Sequence, residues 1–240
     1  MTSSCNSVKF VLFFIGRTGS TYLTQALSSH PEIAPGAEWE PLAGKDSNQQ
    51  LQAVRTLLTQ PPYGYHPAVG FKTKLEVVEN PEALTRLLRE LGARIIVLHR
   101  RNSIKHVVSQ LNSYRIHDVT GYWNLYKTED RLPPATIDVA EFDRRLDQVE
   151  KEKRALESYA KNTDLPTLWL YYEHLLVDKQ ETLERIFSFL GVRFEPVRGG
   201  SIKNTSDDLG EALSNFHELR SHYVGTPYEQ MFDEVLVPAQ

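Results

Sequence analysis

The feature that most constrains the fold is an apolar run near the start of the chain that leads directly into a glycine-containing turn. Residues 8–15 read VKFVLFFI, interrupted only by Lys9, and Gly16 follows them. The run is too short to cross a bilayer, and its nearly unbroken apolar character predicts a strand buried on both faces of a sheet. A helical pattern begins four residues later, at Ser20–Ser29. The segment therefore predicts a strand–loop–helix unit.

The rest of the chain continues to alternate between strand patterns and helix patterns. Strands are predicted at 68–72, 94–99 and 166–172, and helices at 81–91, 103–114, 138–161, 178–190 and 206–219. This alternation is typical of an α/β fold, in which a parallel sheet is flanked by helices in three layers. Residues 118–134 are predicted to be a loop-rich insertion. No linker-like segment divides the chain, so we expect one domain, 1–240.

The longest predicted helix, 138–161, carries an apolar stripe with one break. Val139, Phe142, Leu146, Val149 and Leu156 follow one another at helical spacing, and Lys153 interrupts the series. Such a stripe either packs on its own domain or forms the seam of a homo-oligomer. Its short length favours packing on its own domain, and a homo-oligomer stays possible.

Composition excludes several classes of protein. The chain has 27 Lys and Arg against 31 Asp and Glu, a formal net charge of −4. This balance argues against a surface that binds nucleic acid over its whole extent. The single cysteine, Cys5, excludes disulfide frameworks and cysteine-rich zinc sites. No apolar run is long enough to span a membrane, so we expect a cytoplasmic protein.

The turn after the first strand has the chemistry of an anion site. Its glycines allow successive N–H groups to turn toward one anion, and the helix that follows adds the positive end of its dipole. The side chains add hydroxyl donors and one full positive charge. The turn lacks the lysine of a GxxxxGK[ST] loop, because Ser20 follows Gly19. It therefore predicts a phosphate or sulfate site, or else a tight turn with no ligand. The candidate residues are Gly16, Arg17, Thr18, Gly19, Ser20 and Thr21.

A second group of cations follows the strand predicted at 94–99. Residues 99–109 read HRRNSIKHVVS, at the carboxyl end of that strand and in the first turns of the next helix. Ligands of open α/β sheets bind at such strand ends. Arg101 and Ser109 are eight residues apart, about two helical turns. The alternative is a solvated basic helix face.

Together these segments resemble the sulfotransferases that use 3′-phosphoadenosine 5′-phosphosulfate (PAPS). GRTGST, 16–21, is similar to the family's 5′-phosphosulfate loop, and RNSIKHVVS, 101–109, is similar to its 3′-phosphate motif. In that motif the positions of Arg101 and Ser109 hold the 3′-phosphate, and Ser103 stands where the family usually has proline. Residues 172–191 resemble the segment around the family's fourth strand, whereas 40–65 and 115–140 are not matched.

Two later segments extend the resemblance. Residues 198–204, which include Lys203, are similar to the family's late basic segment that closes over the nucleotide, and a simple basic turn is the alternative. Residues 206–219 resemble the last helix of bacterial sulfotransferases that act on carbohydrates or small molecules. The resemblance thus implies a P-loop NTPase-like sulfotransferase fold and a small-molecule or carbohydrate acceptor.

The implied reaction is transfer of a sulfuryl group from PAPS to an acceptor hydroxyl or amine, without a metal, leaving adenosine 3′,5′-bisphosphate (PAP). Arg17 and the loop would stabilise the transferring group, and a general base would take the acceptor proton. Family branches with a HP-x-I segment place a glutamate base shortly after it, at the position of Glu38 here, and Glu40 is the close rival. Three histidines, His99, His106 and His117, are further candidates.

Two other interpretations of the sequence remain open. One is a nucleotide-dependent phosphotransferase on a related fold, which the missing loop lysine disfavours. The other is a binding module without catalysis, which the presence of Arg17, Ser20, Arg101 and Ser109 disfavours.

Overall fold

A computed structural model of the chain describes residues 7–35, 40–60, 65–197, 203 and 205–236. Contacts divide the chain into two compact units. We call residues 1–99 with 154–200 the sheet unit, and residues 100–153 with 201–240 the helical unit. The single domain 1–240 stays a prediction.

The sheet unit contains a parallel sheet with β1 (Val8–Phe14) at its centre. The other strands are β2 (Ile33–Pro35), β3 (Ala68–Thr73), β4 (Arg94–His99) and β5 (Thr167–Tyr171), in the order β2-β3-β1-β4-β5. Its helices are α1 (Ser20–Ser28), α2 (Ser47–Thr59), α3 (Pro81–Glu90), α6 (Tyr172–Val177) and α7 (Lys179–Leu190). The α/β class predicted from the sequence is confirmed.

Alternate residues of β1 point into two separate apolar cores. Val11 and Phe13 pack with residues of α2 and α3, whereas Phe10 and Leu12 pack with residues of α1 and α7. Helices therefore cover both faces of the sheet, which confirms the three layers. Burial on both faces is also the reason why residues 10–14 of β1 form an unbroken apolar run instead of an alternating one.

The strand register brings three strand ends to one edge of the sheet. Leu12 of β1 pairs with Lys72 of β3, and Phe14 of β1 pairs with Leu98 of β4. Because the strands are parallel, the turn that follows β1 begins beside the carboxyl ends of β3 and β4. This edge carries the candidate residues of the sheet unit.

The helical unit is built on α4 (Ser103–Thr120) and the first part of α5 (Val139–Lys161), with the short helices α8 (Leu209–Ala212) and α9 (Phe216–His222). Phe142, Leu146 and Val149 of the α5 stripe are buried in this unit's core. Leu156, beyond the break at Lys153, is buried in the sheet unit's core. The stripe is thus covered within its own chain. In the described ranges no helix is both long and apolar enough to cross a membrane.

The structure corrects two helix predictions. Helix α4 extends to Thr120, six residues beyond the predicted end, and stops at Gly121 with a left-handed φ of +75°. The single helix predicted at 206–219 is wrong, because Leu213 has extended backbone and a turn follows it before α9. There the amide of Ser214 donates to the carbonyl of Ala135 at 2.8 Å, and the Asn215 side chain bonds both backbone groups of Ile137. These distant partners replace helical hydrogen bonds.

Candidate functional site

The loop between β1 and α1 has two left-handed residues. Arg17 has φ +72° and Gly19 has φ +85°, on either side of Thr18. Such turns direct successive N–H groups into one concavity that suits an anion. A left-handed conformation costs a residue with a side chain about 1–2 kcal/mol. The strain at Arg17 makes this loop a candidate ligand site.

Thr18 has a structural part in the loop. Its side chain is fully buried, and its Oγ1 donates a hydrogen bond to the carbonyl of Ile15 at 2.8 Å. This bond closes the turn across its base. Thr18 thus contributes to the shape of the loop, and the side chains of Arg17, Ser20 and Thr21 are left as the candidates for ligand contacts.

Gly19 is required at its position for two reasons. Besides its left-handed φ, a Cβ built on Gly19 would lie 2.8 Å from Cδ2 of Tyr172, which is closer than van der Waals contact allows. Tyr172 is the first residue of α6, directly after β5. Sequence reasoning missed this contact, although Tyr172 opens the segment 172–191 that carries part of the family resemblance.

The first turn of α1 presents its N–H groups beside the loop. Gly19 is the N-cap and has no side chain to cap them, and the first turn contains no acidic residue. The amide of Leu23 bonds the carbonyl of Gly19 at 3.0 Å, so the amides before it precede the helical hydrogen-bond ladder. The positive end of the helix dipole therefore lies where the sequence predicts an anion.

Two lysines at the end of β3 approach the same loop. Lys72 is buried, pairs with Glu40 at 3.0 Å and lies 5.1 Å from the ring centre of Phe14. Lys74 brings its Cε within 4.0 Å of a Cβ built on Gly16, while its Nζ pairs with Glu76 at 3.3 Å. The sheet unit thus places cationic side chains around the loop in addition to Arg17.

The structure treats the two base candidates differently. Glu40 is half-exposed, and its carboxylate forms an ion pair with Lys72 at the edge of the sheet where β1 ends. Glu38 lies outside the described residues. The rival histidines have aromatic or buried surroundings. His99 stacks on Trp169 with ring centres 5.6 Å apart, His117 stacks on Trp123 at 4.0 Å, and His106 is fully buried.

In the helical unit, α4 carries the second predicted motif. Asn102 caps the helix, accepting a hydrogen bond from the amide of Lys105 at 2.8 Å. The same side chain donates to the carbonyl of Met231 at 2.8 Å and to Oε2 of Glu234 at 2.6 Å. Arg101 precedes the cap and is exposed, and Ser109 is buried two turns along α4. The beginning of α4 is therefore tied to the end of the described chain.

Two departures noted in the sequence explain each other. Lys153, which breaks the α5 stripe, donates to Oγ of Ser103 at 2.6 Å and to the carbonyl of Arg101 at 3.2 Å. Ser103, which stands in place of proline, in turn donates to Glu150. A proline could not take part in this network, because it has no side-chain hydroxyl. The network holds the backbone at Arg101 to α5.

Lys203 belongs to a charge cluster that sequence reasoning missed. Its Nζ lies 2.6 Å from Oδ1 of Asp207, and Nζ of Lys105 lies 2.9 Å from Oδ2 of the same carboxylate. Burial acts to raise the pKa of Asp207, but hydrogen bonds from both lysines and from the amide of Leu236 lower it to about 2. Residues 198–202 and 204 lie outside the described part.

No cluster of metal ligands occurs in the part of the chain that the structure describes. Groups of three or more His, Cys, Asp or Glu side chains arranged to hold an ion are absent from those residues. The candidate site is therefore described by its cations, hydroxyls and backbone amides.

Known proteins resemble this chain over most of its length. No protein-family model matches it. Nodulation protein H of Rhizobium tropici is 27% identical over 247 residues, which cover 93% of this chain and 92% of the relative. A sulfotransferase from Alicyclobacillus acidocaldarius superposes with a TM-score of 0.50 at 14% identity and covers 97% of both chains. The predicted sulfotransferase fold is thereby confirmed.

A mouse sulfotransferase, SULT7A1 complexed with PAP, superposes more loosely. Its TM-score is 0.48 at 17% identity, over 79% of this chain and 61% of the mouse chain. At this TM-score the mouse structure adds nothing to the fold assignment, which depends on the bacterial enzyme.

Proposed function

We propose that this chain is a PAPS-dependent sulfotransferase that transfers a sulfuryl group to a hydroxyl or amine of a small-molecule or carbohydrate acceptor. The observation that carries the proposal is the loop of residues 15–19, with left-handed Arg17 and Gly19 between β1 and the uncapped start of α1. PAPS would supply the sulfuryl group. The loop fits its 5′-phosphosulfate, because backbone amides, hydroxyls and a cation are combined there and acidic side chains are absent from the first turn of α1.

Within the sheet unit, the catalytic contribution is electrostatic. Arg17, Ser20, Thr21 and the amides at the start of α1 would bind the 5′-phosphosulfate and stabilise the negative charge that develops on the leaving oxygen. In-line transfer requires positioning and charge stabilisation more than covalent help from the protein. Lys72, buried beside the end of β1, is a further cation for this task.

Within the helical unit, Arg101 and Ser109 would bind the 3′-phosphate, with Lys203 as a further contact. Arginine and hydroxyl donors suit a phosphate dianion. Substitution Arg101→Ala should weaken binding of PAP more than binding of adenosine 5′-monophosphate, since only PAP carries a 3′-phosphate. Equal losses for the two nucleotides would place Arg101 elsewhere.

The general base is proposed to be Glu38, with Glu40 as its rival. The ion pair with Lys72 holds the carboxylate of Glu40 in one place. As the general base, that carboxylate would have to accept the acceptor proton while it is paired with Lys72. Glu38 remains the first candidate on its spacing after the HPEI segment at 30–33.

A thermal-shift comparison tests the proposal. PAP should raise the melting temperature of the chain, and ATP with magnesium should not, because the loop lacks the lysine that reaches terminal phosphates. A shift with ATP and magnesium alone would overturn the proposal in favour of a phosphotransferase. Sulfur-35-labelled PAPS, offered with sugars, lipids, phenols and small metabolites, then identifies the acceptor.

A further inference from the structure

Two lysines of the helical unit share one carboxylate. Nζ of Lys105 is 2.9 Å from Oδ2 of Asp207, and Nζ of Lys203 is 2.6 Å from Oδ1. The two lysines differ in accessibility, since the side chain of Lys105 is 2% exposed and that of Lys203 is 32% exposed. The Leu236 amide also donates to Asp207. Asp207 thus connects three parts of the helical unit. They are α4, the segment that contains Lys203, and the end of the described chain.

Lys105 and Lys203 bring two positive charges to the single carboxylate of Asp207. Burial lowers the pKa of Lys203, and the charges of Arg100 and Lys105 lower it further, although the hydrogen bond to Asp207 acts to raise it. Asp207 itself is ionised at neutral pH, because its pKa is lowered to about 2. An anionic ligand near two lysines that share one carboxylate would lower the electrostatic cost of holding both cations there.

The cluster lies on the motif that carries the proposed 3′-phosphate contacts. Lys105 precedes Ser109 by four residues, so both side chains are on the same face of α4. Lys105 also follows Arg101 by four residues. A phosphate that reached Ser109 would therefore approach the ammonium of Lys105.

We propose that Lys105, together with Lys203, forms part of the 3′-phosphate subsite, and that Asp207 is the internal counter-ion that the phosphate competes with. This inference rests on the proposed function. Lys203 is the more exposed lysine and turns from Asp207 to the phosphate, while buried Lys105 keeps its bond to Asp207 and adds its charge. Asp207 thereby sets the affinity for nucleotides that carry a 3′-phosphate.

Isothermal titration of the full chain with PAP and with adenosine 5′-monophosphate tests the role of Lys105. Lys105→Met should weaken the binding of PAP about tenfold, because the 3′-phosphate loses the attraction of a nearby buried charge, and should leave the affinity for the monophosphate within about twofold. Lys127→Met, which removes an exposed lysine of the same unit, is the matched control and should change neither affinity. If Lys105→Met does not fold, Lys203→Met at the more exposed position should give the same selective loss.

Asp207→Asn tests the competition. Its affinity for PAP should rise about threefold or more, because the phosphate no longer displaces a carboxylate, while the monophosphate is unaffected. Asp208→Asn makes the same charge change at an exposed neighbour that keeps its capping ability, and it should leave the affinity for PAP unchanged.

The outcomes separate this inference from the proposed function. If the unaltered chain does not bind PAP, the proposed function fails and the inference fails with it. If the unaltered chain binds PAP but the lysine variants lose affinity for both nucleotides equally, or for neither, the proposed subsite is wrong and the proposed function stands. Weaker binding of PAP by Asp207→Asn would show that Asp207 positions the lysines and does not compete.

Discussion

Lys153 donates a hydrogen bond at 2.6 Å to the hydroxyl of Ser103, the residue that stands where sulfotransferases usually have proline. The same ammonium donates to the carbonyl of Arg101 at 3.2 Å. A lysine that interrupts an apolar helix stripe and a serine that departs from a family pattern are thus two halves of one contact. Its effect is to hold the backbone from which the Arg101 side chain projects.

The first prediction concerns that contact. Lys153→Met should lower the affinity for PAP about fivefold, because the loss of a hydrogen bond from a charged donor loosens the backbone at Arg101. Adenosine 5′-monophosphate should bind as before, and Lys153→Arg should restore part of the affinity. Lys151→Met, on the exposed side of the same helix, is the control. Equal titration curves for Lys153→Met and the unaltered chain would contradict the positioning role.

Alanine at position 19 should destabilise the chain more than alanine at another left-handed glycine. Gly19→Ala and Gly44→Ala both introduce a Cβ at a left-handed φ, at a cost of about 1–2 kcal/mol. Only the Cβ at Gly19 also meets Tyr172, whereas nothing lies within 4 Å of the Cβ at Gly44. Urea unfolding should show the larger loss for Gly19→Ala, and PAP binding should be lost in that variant alone. Matching stability losses would argue against the Tyr172 contact.

Removing Arg17 should separate stability from activity. Arg17→Gly relieves a left-handed φ of +72°, so the free energy of unfolding should stay equal or rise by up to about 1 kcal/mol. Sulfuryl transfer should fall at least about a hundredfold, as expected for loss of a donor to the developing charge. Asp164→Gly, at φ +54°, is the control that relieves backbone strain and keeps activity. Near-normal turnover in Arg17→Gly would remove Arg17 from the reaction.

The two glutamates can be separated by isosteric variants. Glu38→Gln should keep PAP binding and lose most turnover, because an amide cannot take the acceptor proton. Glu40→Gln should retain turnover and lose only its ionic interaction with Lys72. A labelled-PAPS assay with titration of PAP in parallel measures both properties. The reverse result, activity lost only in Glu40→Gln, would make Glu40 the base.

Stability at low pH should depend on Asp207. Its pKa is lowered from 3.8 to about 2 in the folded chain, so the carboxylate contributes stability that is complete above about pH 4 and disappears as the pH falls toward 2. Asp207→Asn should therefore be less stable than the unaltered chain at pH 7, with the difference shrinking between pH 4 and pH 2. Urea unfolding across this range measures it, and a difference independent of pH would contradict the assignment.

Local patterns predicted most of the sheet. β4 was predicted at its observed bounds, 94–99, and α7 ends at Leu190 as predicted, where Gly191 follows with φ +68°. Among the strands and α-helices of the described residues, β2, α2 and α6 were missed. The capping box of Asp46 and Gln49, which begins α2, was a signal available in the sequence. β2 has only three residues and carries no comparable pattern.

The sequence by itself determined the α/β alternation, the glycine turn at 16–21 and the order of the two motifs, because strand runs, caps and glycine turns depend on neighbouring residues. Only the tertiary structure decided which distant side chains meet. Lys105 and Asp207 are 102 residues apart in the chain, and Ser103 and Lys153 are 50 apart. No periodicity links such positions. Their pairing follows from the packing of whole elements. Packing brings these polar and charged groups out of water, where each is stable only if it is paired.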